Sequence, residues 1–167
     1  GLSSVGENRY FPLRPGLRLV LEGEDEDGLT NVVWEVLDET REIAFEIAEE
    51  EVSVEARVIR ESESLDGELI EVGHFFFAHC EETGDVFFFG EDIDLYEDGE
   101  IVSHSGSWMA GEAGARPGII MPGFPEAGAV HALLYAPIVD ALERGEVIDV
   151  RAPVETPITM FDDAVIV

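Results

Sequence analysis

Two runs of aromatic residues in the middle of the chain restrict the fold more than any other feature. Residues 74–80 read HFFFAHC and residues 85–92 read DVFFFGED, with Glu-Glu-Thr-Gly between them. Aromatic runs separated by a short polar segment are typical of two β-strands joined by a loop, and Gly84 can supply the positive φ that such a loop needs. The pattern predicts a β-hairpin.

A third strand is expected to follow this hairpin. Asp98-Gly99 is a strong turn signal, and the segment 101–108 after it alternates between apolar and polar residues. The sequence therefore predicts a three-stranded antiparallel meander. Because both faces of its aromatic strands are apolar, we expect a second sheet, a loop or another subunit to cover one of them.

The rest of the chain adds more strands at short spacing. After a lead-in segment at 1–16, alternation predicts strands at 17–21, 29–37, 41–51, 52–58, 68–80, 129–135, 147–154 and 159–167. The segment 41–51 also fits helical spacing, but its alternation favours a strand. A glycine- and proline-rich loop at 109–128 is expected to cross rather than to pair, and one or two helical turns are predicted at 138–144.

These patterns predict one β-rich domain over residues 1–167. Its fold class is all-β, an antiparallel meander sheet curled into a half-barrel, barrel or sandwich with little helix. With 167 residues, 46% of them hydrophobic, the chain is long enough to bury a core. The final segment, 159–167, stops inside an apolar run, so we expect it to pair inside a sheet, with a neighbouring chain supplying a strand if the sheet stays open.

The charge of the chain is strongly unbalanced. Asp and Glu number 38 against 9 basic residues, all of them Arg, which gives a formal net charge of -29. Such a fold repels itself in dilute buffer and is screened in molar salt, so the composition indicates adaptation to high salt and a dependence on salt or divalent cations. Nucleic acid and anionic membranes are poor partners, and no apolar run is long enough for membrane insertion as a helix.

Acidic clusters supply the main candidate site residues. Carboxylate oxygens are the ligands that Ca²⁺ prefers. The spacing of the clusters does not match an EF-hand, and diffuse counter-ion binding to the acidic surface is the alternative. The candidate calcium ligands are Asp25, Asp27, Asp92, Asp94 and Asp98.

The histidines and the single cysteine near the hairpin are candidates for a transition-metal site, namely His74, His79, Cys80 and His104. Alternation along a strand puts His79 on the face opposite to His74 and Cys80, so the four cannot all converge. Cys80 has acidic neighbours and no local sign of a base, which predicts an inert structural thiol. One cysteine also excludes an internal disulfide.

The order of three motifs, NRYFPLRPG, DVFFFGED and GSWMAGEAGARPGIIMP, resembles that of a group of uncharacterised secreted bacterial β-rich proteins. The resemblance covers residues 8–121 and recurs weakly in 156–167. It implies an exported β-rich domain in an extracellular or periplasmic location. The chain departs from the group at His79-Cys80, where relatives tend to have Gln-Asp, and at Phe75, where they often carry an acidic residue.

Two functional hypotheses follow. The preferred one is a non-enzymatic exported β-protein, structural or self-associating and binding divalent cations, with copies of itself or another surface protein as partners. It is preferred because the chain has no recognisable catalytic constellation. The alternative is a small-ligand-binding or enzymatic half-barrel with a pocket near His104, between the meander and the glycine-rich loop, with Asp92 as a second polar group. The oligomeric mass at high salt would separate them.

Overall fold

A computed structural model of the protein describes residues 1–47 and 50–167 and is almost entirely β-strand. A 3-10 turn at Pro137–Val139 is the one helical element of the described chain, which has no helix long and apolar enough to cross a membrane. The strands are β1 (Leu2–Ser3), β2 (Arg18–Glu24), β3 (Leu29–Ile47), β4 (Glu50–Leu65), β5 (Glu68–Cys80), β6 (Val86–Glu97), β7 (Glu100–Ser103), β8 (Trp108–Met109), β9 (Arg116–Met121), β10 (Val130–Ala136), β11 (Ala141–Glu146), β12 (Asp149–Glu155) and β13 (Met160–Ile166).

Eleven of these strands form one antiparallel sheet. Its main path runs β11-β10-β9-β6-β5-β4-β3-β2, while β1 pairs with β5 and both β7 and β8 pair with β6. The strands β12 and β13 form a second, two-stranded antiparallel sheet. The predicted all-β class is confirmed, and so is the pairing of the final strand inside a sheet.

The main sheet curls into a half-barrel. Phe45 on β3 and Phe89 on β6 have ring centroids 5.5 Å apart, although β4 and β5 lie between their strands. Strands spaced about 4.8 Å apart would hold these two residues roughly 14 Å apart in a flat sheet. The sheet is therefore strongly curved, with these rings inside the curve. We call the side that carries Phe45, Val54, Phe76 and Phe89 the inner face.

The predicted aromatic hairpin is confirmed as β5 and β6. The amide of Cys80 donates to the carbonyl of Asp85 over 2.8 Å, which closes the turn. Phe76 lies opposite Gly90 and Phe77 opposite Phe88, so Phe89 is an extra residue in β6. Phe88 packs on Phe77 and Phe89 on Phe45, so these consecutive phenylalanines are buried on opposite faces of the sheet.

Both faces of the aromatic strands are covered by other parts of the same chain. On the inner face, the segment 110–115 packs against β3 and contributes buried Ala110 and Ala115. On the opposite face, the lead-in segment inserts Phe11, whose ring centroid is 4.9 Å from that of Phe77, and Leu13, which is fully buried. The cover expected from the sequence is thus provided by two loops.

The strand boundaries differ from the predicted ones where a strand is interrupted or extended. The predicted strand 29–37 and residues 41–47 of the predicted strand 41–51 form one strand, β3, whose register shifts between Val36 and Thr40. Residues 48 and 49 lie outside the described residues, and residues 50 and 51 begin β4, so the predicted boundary between 51 and 52 is wrong. The strand predicted at 17–21 extends to Glu24, and the one at 52–58 is part of β4, sixteen residues long. The additional residues of β2 and β4 are mostly charged or polar. Alternation of apolar residues therefore predicts strands that are shorter than the observed ones.

Three sequence predictions are wrong. The strand expected at 101–108 ends at Ser103, where a turn containing Gly106 at φ +102° interrupts it. The loop expected at 109–128 contains β8's last residue and the whole of β9, which pairs with β6. The helical turns expected at 138–144 reduce to the 3-10 turn, which ends at Asp140 in a left-handed conformation, and the chain then pairs with β10 as β11. In the last two cases pairing with distant strands overrode local preference.

Candidate functional site

Four glutamates lie inside strands on the face of the sheet opposite to the inner face. The register aligns Val32, Glu63 and Glu71 in one cross-strand row. The next row holds Trp34, Glu61, Gly73 and Ile93, and the third holds Val36, Ile59, Phe75, Glu91 and Trp108. Opposite residues of an antiparallel sheet point to the same side. We call this surface, defined by Glu61, Glu63, Glu71, Glu91, Trp34 and Trp108, the glutamate face.

The like charges on the glutamate face oppose one another. Glu63 and Glu71 are directly opposite each other, an arrangement that destabilises a sheet. Burial, and secondarily the charge of Glu63, raises the pKa of Glu71. Burial also raises the pKa of Glu61, with a further contribution from the charges of Glu71 and Glu63. Among the residues that the structure describes, no basic side chain forms an ion pair with Glu61, Glu63 or Glu71 that would stabilise the ionised carboxylates.

Glu91 is the most strongly perturbed of the four. Burial is the largest cause and raises its pKa to about 7, and the charges of Glu71, Glu143 and Glu61 add to the effect. The one opposing contribution comes from Trp108, whose Nε1 donates to Glu91 Oε1 over 3.0 Å. A carboxyl group titrating near neutral pH in a polar cluster is the kind of group that functional sites contain.

An aromatic series runs alongside the glutamates. Ring centroids are 6.3 Å apart for Trp34 and Phe77, 5.0 Å for Phe77 and Phe88, and 5.2 Å for Phe88 and Trp108. The two tryptophans are thus linked through packed rings, and each indole lies beside one glutamate: Trp34 opposite Glu61, and Trp108 opposite Glu91. These are the only two tryptophans of the chain.

The indole nitrogen of Trp34 is buried and, among the described residues, has no hydrogen-bond partner. The indole nevertheless lies close enough to Glu61 to lower the pKa of that carboxyl against the effect of burial. Trp34 Nε1 therefore has Glu61 as a neighbour but not as a hydrogen-bond partner. A buried N–H without a partner is costly.

On the glutamate face, a partly buried surface, carboxylate groups that form no ion pair with a described basic residue lie beside aromatic rings. Carboxylates attract ammonium groups, and indole rings attract them through their electron-rich faces. Within the described parts of the chain, no group of three or more His, Cys, Asp or Glu residues is arranged to hold a metal ion. The arrangement therefore suits an organic cation better than a compact metal site.

The aspartates predicted as calcium ligands lie in three separate places. Asp92 and Asp94 point to the side opposite to the glutamate face, where Asp92 pairs with Arg41 and Asp94 Oδ1 lies 2.7 Å from His104 Nδ1. Arg41 also stacks over Phe76, 4.7 Å from its ring centroid. Both carboxylates thus contact a basic side chain.

The other three aspartates are in turns. Asp98 has φ 54° in the turn between β6 and β7. Asp25 and Asp27 are in the loop between β2 and β3, where Asp25 Oδ1 accepts from the amide of Asp27 over 2.9 Å. Calcium binding at these positions stays a prediction.

The structure does not bring the histidines and the cysteine together. The ring of His79 packs on Gly6, while Cys80 Sγ contacts Glu82 Oε2 over 3.3 Å. His74 is opposite Asp92 in the sheet, and the His104 side chain is 70% exposed. The prediction that these four residues cannot all converge agrees with this placement.

A cleft of about 960 Å³ lies between the segment 111–117 and the ends of β3 and β4. The second sequence hypothesis expected a pocket between this glycine-rich segment and the meander, but the opposite wall of the cleft is formed by β3 and β4. The charged residues of its described lining are Glu46, Glu51 and Arg116, rather than His104 and Asp92.

The sequence did not lead to Glu61, Glu63 or Glu71. Glu91 directly precedes the candidate ligand Asp92 but has no distinguishing pattern, because acidic residues are common throughout this chain. A usable signal was present, because these glutamates alternate with other residues inside predicted sheet segments instead of lying in turns. Only the register shows that they share a face.

Comparisons with protein-family models, with curated proteins and with solved structures found no match to this chain.

Proposed function

We propose that this protein is a non-enzymatic, exported binding module whose glutamate face takes a small organic ammonium ion. The observation that carries the proposal is the pairing of two glutamates of raised pKa, Glu61 and Glu91, with the two tryptophans on a single sheet face. The exported location rests on the resemblance to secreted bacterial proteins.

A bound cation would relieve the energetic cost of this surface. Burial and mutual repulsion disfavour the ionised forms of Glu61, Glu71 and Glu91, and a positive charge among them reverses the sign of the local electrostatic interaction. The partly exposed indole of Trp34 adds cation–π attraction of about 0.5–2 kcal/mol, whereas Trp108 is buried and acts through its hydrogen bond to Glu91. Part of the binding free energy therefore comes from relieving electrostatic repulsion that is already present in the free protein.

Two further parts of the proposal come from the sequence. Calcium is a second class of cation, with the five aspartates as its candidate ligands. Association with copies of the same chain is the other part, and it is supported by strand edges that the main sheet leaves unpaired within the described residues.

Tryptophan fluorescence tests the binding proposal directly, because both emitters of the chain are on the glutamate face. Tetramethylammonium chloride is titrated into the protein at constant ionic strength, with sodium chloride replaced step by step. We expect a saturable change in emission. The double variant Glu61→Gln/Glu91→Gln should bind roughly five- to thirtyfold more weakly, since each lost charge removes of the order of 0.5–1 kcal/mol.

The matched control is Glu97→Gln/Glu100→Gln, which removes the same two charges from the β6–β7 hairpin, where both side chains are exposed. It should bind like the wild type. Equal weakening by the two double variants would mean that the cation only condenses on an acidic surface, and would overturn the proposal. The same titration with calcium chloride, followed by calorimetry, tests the aspartates.

A further inference from the structure

The strand β2 is an outer edge of the main sheet and carries unusual exposed apolar residues. In the described chain it pairs with β3 alone, and all seven of its residues are exposed. Leu19 is 45% exposed, Val20 57% and Leu21 56%, so apolar side chains lie on both sides of the strand. An uncovered apolar edge is a template for pairing with another strand.

The backbone groups available at this edge can be identified. At one end of the hairpin the amide of Asp25 donates to Gly28, and at the other the carbonyl of Leu17 accepts from Val36. Hydrogen-bonded positions alternate along an antiparallel pair, so the odd-numbered residues of β2 bond inward to β3. The even-numbered residues Arg18, Val20 and Glu22 therefore direct their N–H and C=O groups outward.

This outward set is complementary to itself. If a second copy of β2 pairs in antiparallel fashion about Val20, the two Val20 residues are opposite each other and exchange two hydrogen bonds. Arg18 of each copy is then opposite Glu22 of the other, which gives two cross-strand pairs of opposite charge. A two-fold axis requires such self-complementarity, and this register supplies it.

The side chains on the two faces fit the same register. Leu19 and Leu21 point to the side of the glutamate face, as Leu19 is opposite Trp34. In the paired arrangement, Leu21 of one copy is opposite Leu19 of the other. Leu19 also borders a small apolar groove of about 50 Å³ whose walls include Phe11, Leu17 and Trp34. Pairing would cover this groove as well as the exposed leucines.

The other edge of the sheet is less suitable. The strand β11 reads ALERGE, and Glu143, Arg144 and Glu146 are all exposed. Charges along an edge oppose association with further strands. Of these two edge strands, β2 alone has an apolar centre, residues 19–21, flanked by one basic and one acidic residue, Arg18 and Glu22.

We infer that the protein forms a two-fold symmetric dimer by antiparallel pairing of β2 with β2 of a second copy, in the register that places Val20 opposite Val20. The inference rests on the association included in the proposed function and names its surface. Because each copy has a net charge of -29, the dimer forms only where salt screens the repulsion.

Sedimentation equilibrium of the full chain measures the dimerisation constant in about 0.5 M sodium chloride, where a Debye length of roughly 4 Å screens the net charge but leaves directly opposite charge pairs attractive. Arg18→Glu and Glu22→Arg each replace two attractive pairs by two repulsive ones, and each should weaken dimerisation by at least about tenfold. The double variant Arg18→Glu/Glu22→Arg restores both pairs and the original net charge. Its constant should return to within about threefold of the wild type.

Matched controls carry the same charge changes away from the strand. Arg14→Glu, before β2, and Glu26→Arg, in the loop after it, should leave the dimerisation constant nearly unchanged. Val20→Pro removes one outward N–H without touching the inward bonds to β3, so it should give a folded monomer. Circular dichroism checks that each variant keeps its sheet.

The outcomes distinguish whether the protein dimerises at all from whether it dimerises through β2. A wild type that stays monomeric at every salt concentration overturns both the inference and the proposed association. A dimer whose constant is unaffected by the β2 variants leaves association standing and overturns the β2 surface. A dimer weakened by both single variants but not restored by the double one overturns the register.

Discussion

At the scale of single residues, the sheet treats two buried charges in opposite ways. Arg57 is 4% exposed, and its guanidinium donates to the backbone carbonyls of Ser4, Leu37 and Glu39. Glu91 has one indole donor and only like charges around it. The arginine is thus a structural link between the lead-in segment and β3, whereas the glutamate is held in an environment that favours its neutral form.

Glu91 predicts a specific pH dependence of stability. Its folded-state pKa of about 7 lies above the ordinary 4.5, so the folded state binds more protons than the unfolded state between these values. Its contribution to stability is fully present below about pH 4.5 and is lost as the pH rises through 7. We expect this loss to be about 1–2 kcal/mol, which is less than the full shift implies because solvent screens the partly exposed group.

Denaturant unfolding of Glu91→Gln between about pH 4.5 and 7.5, at constant ionic strength, measures this contribution. The free energy of unfolding should fall less with pH in the variant than in the wild type. A residual slope is expected, because the pKa values of Glu61 and Glu71 are also raised. The exposed Glu97→Gln is the control, and parallel profiles for the wild type and Glu91→Gln would rule out the assigned cause.

At the scale of elements, the glycine-rich segment closes the inner face against β3. Gly111 has φ +91°, and a Cβ there would lie 2.6 Å from the carbonyl oxygen of Ala44 and 3.0 Å from Cβ of Phe45. The segment therefore approaches the β3 backbone as closely as only glycine allows. This contact, together with the buried Ala110 and Ala115, holds the curl of the sheet.

Gly111→Ala should destabilise the fold by about 2–4 kcal/mol, because it combines an unfavourable backbone conformation with a steric clash. Gly114→Ala is the matched comparison: it has φ +83°, but nothing lies within 4 Å of its would-be Cβ, so it should cost only about 1 kcal/mol. Midpoints of chemical denaturation measure both. Equal losses in the two variants would show that the clash contributes nothing.

At the scale of the whole molecule, the charge decides under which conditions the fold is stable. With a net charge of -29, electrostatic repulsion extends across the molecule in dilute buffer, where the Debye length is roughly 30 Å. The ion pairs Arg41–Asp92 and Arg9–Asp163 are exposed and offset little of this. We therefore expect screening by salt to stabilise the folded protein.

The melting temperature should rise by roughly 6–12 °C between about 10 mM and 0.5 M sodium chloride, which corresponds to about 3 kcal/mol for a chain of this size. Screening saturates beyond that concentration, because the Debye length has fallen to roughly 4 Å. Ion exclusion from apolar surface continues to act at higher salt, so the shape of the curve separates the two effects. A melting temperature independent of salt below 0.5 M would contradict the charge argument.

Local patterns in the sequence determined the all-β class, the aromatic hairpin and the Asp98-Gly99 turn, because turn chemistry and two-residue alternation act between neighbours along the chain. The position of β9, the strand at 141–146 and the curl of the sheet depended on pairing with distant strands, which no local pattern encodes. The glutamate face shows the same division. Its residues are visible in the sequence, but their common face follows from cross-strand register, and their raised pKa values follow from burial. Register and burial are properties of the folded chain, and for that reason only the tertiary structure decided them.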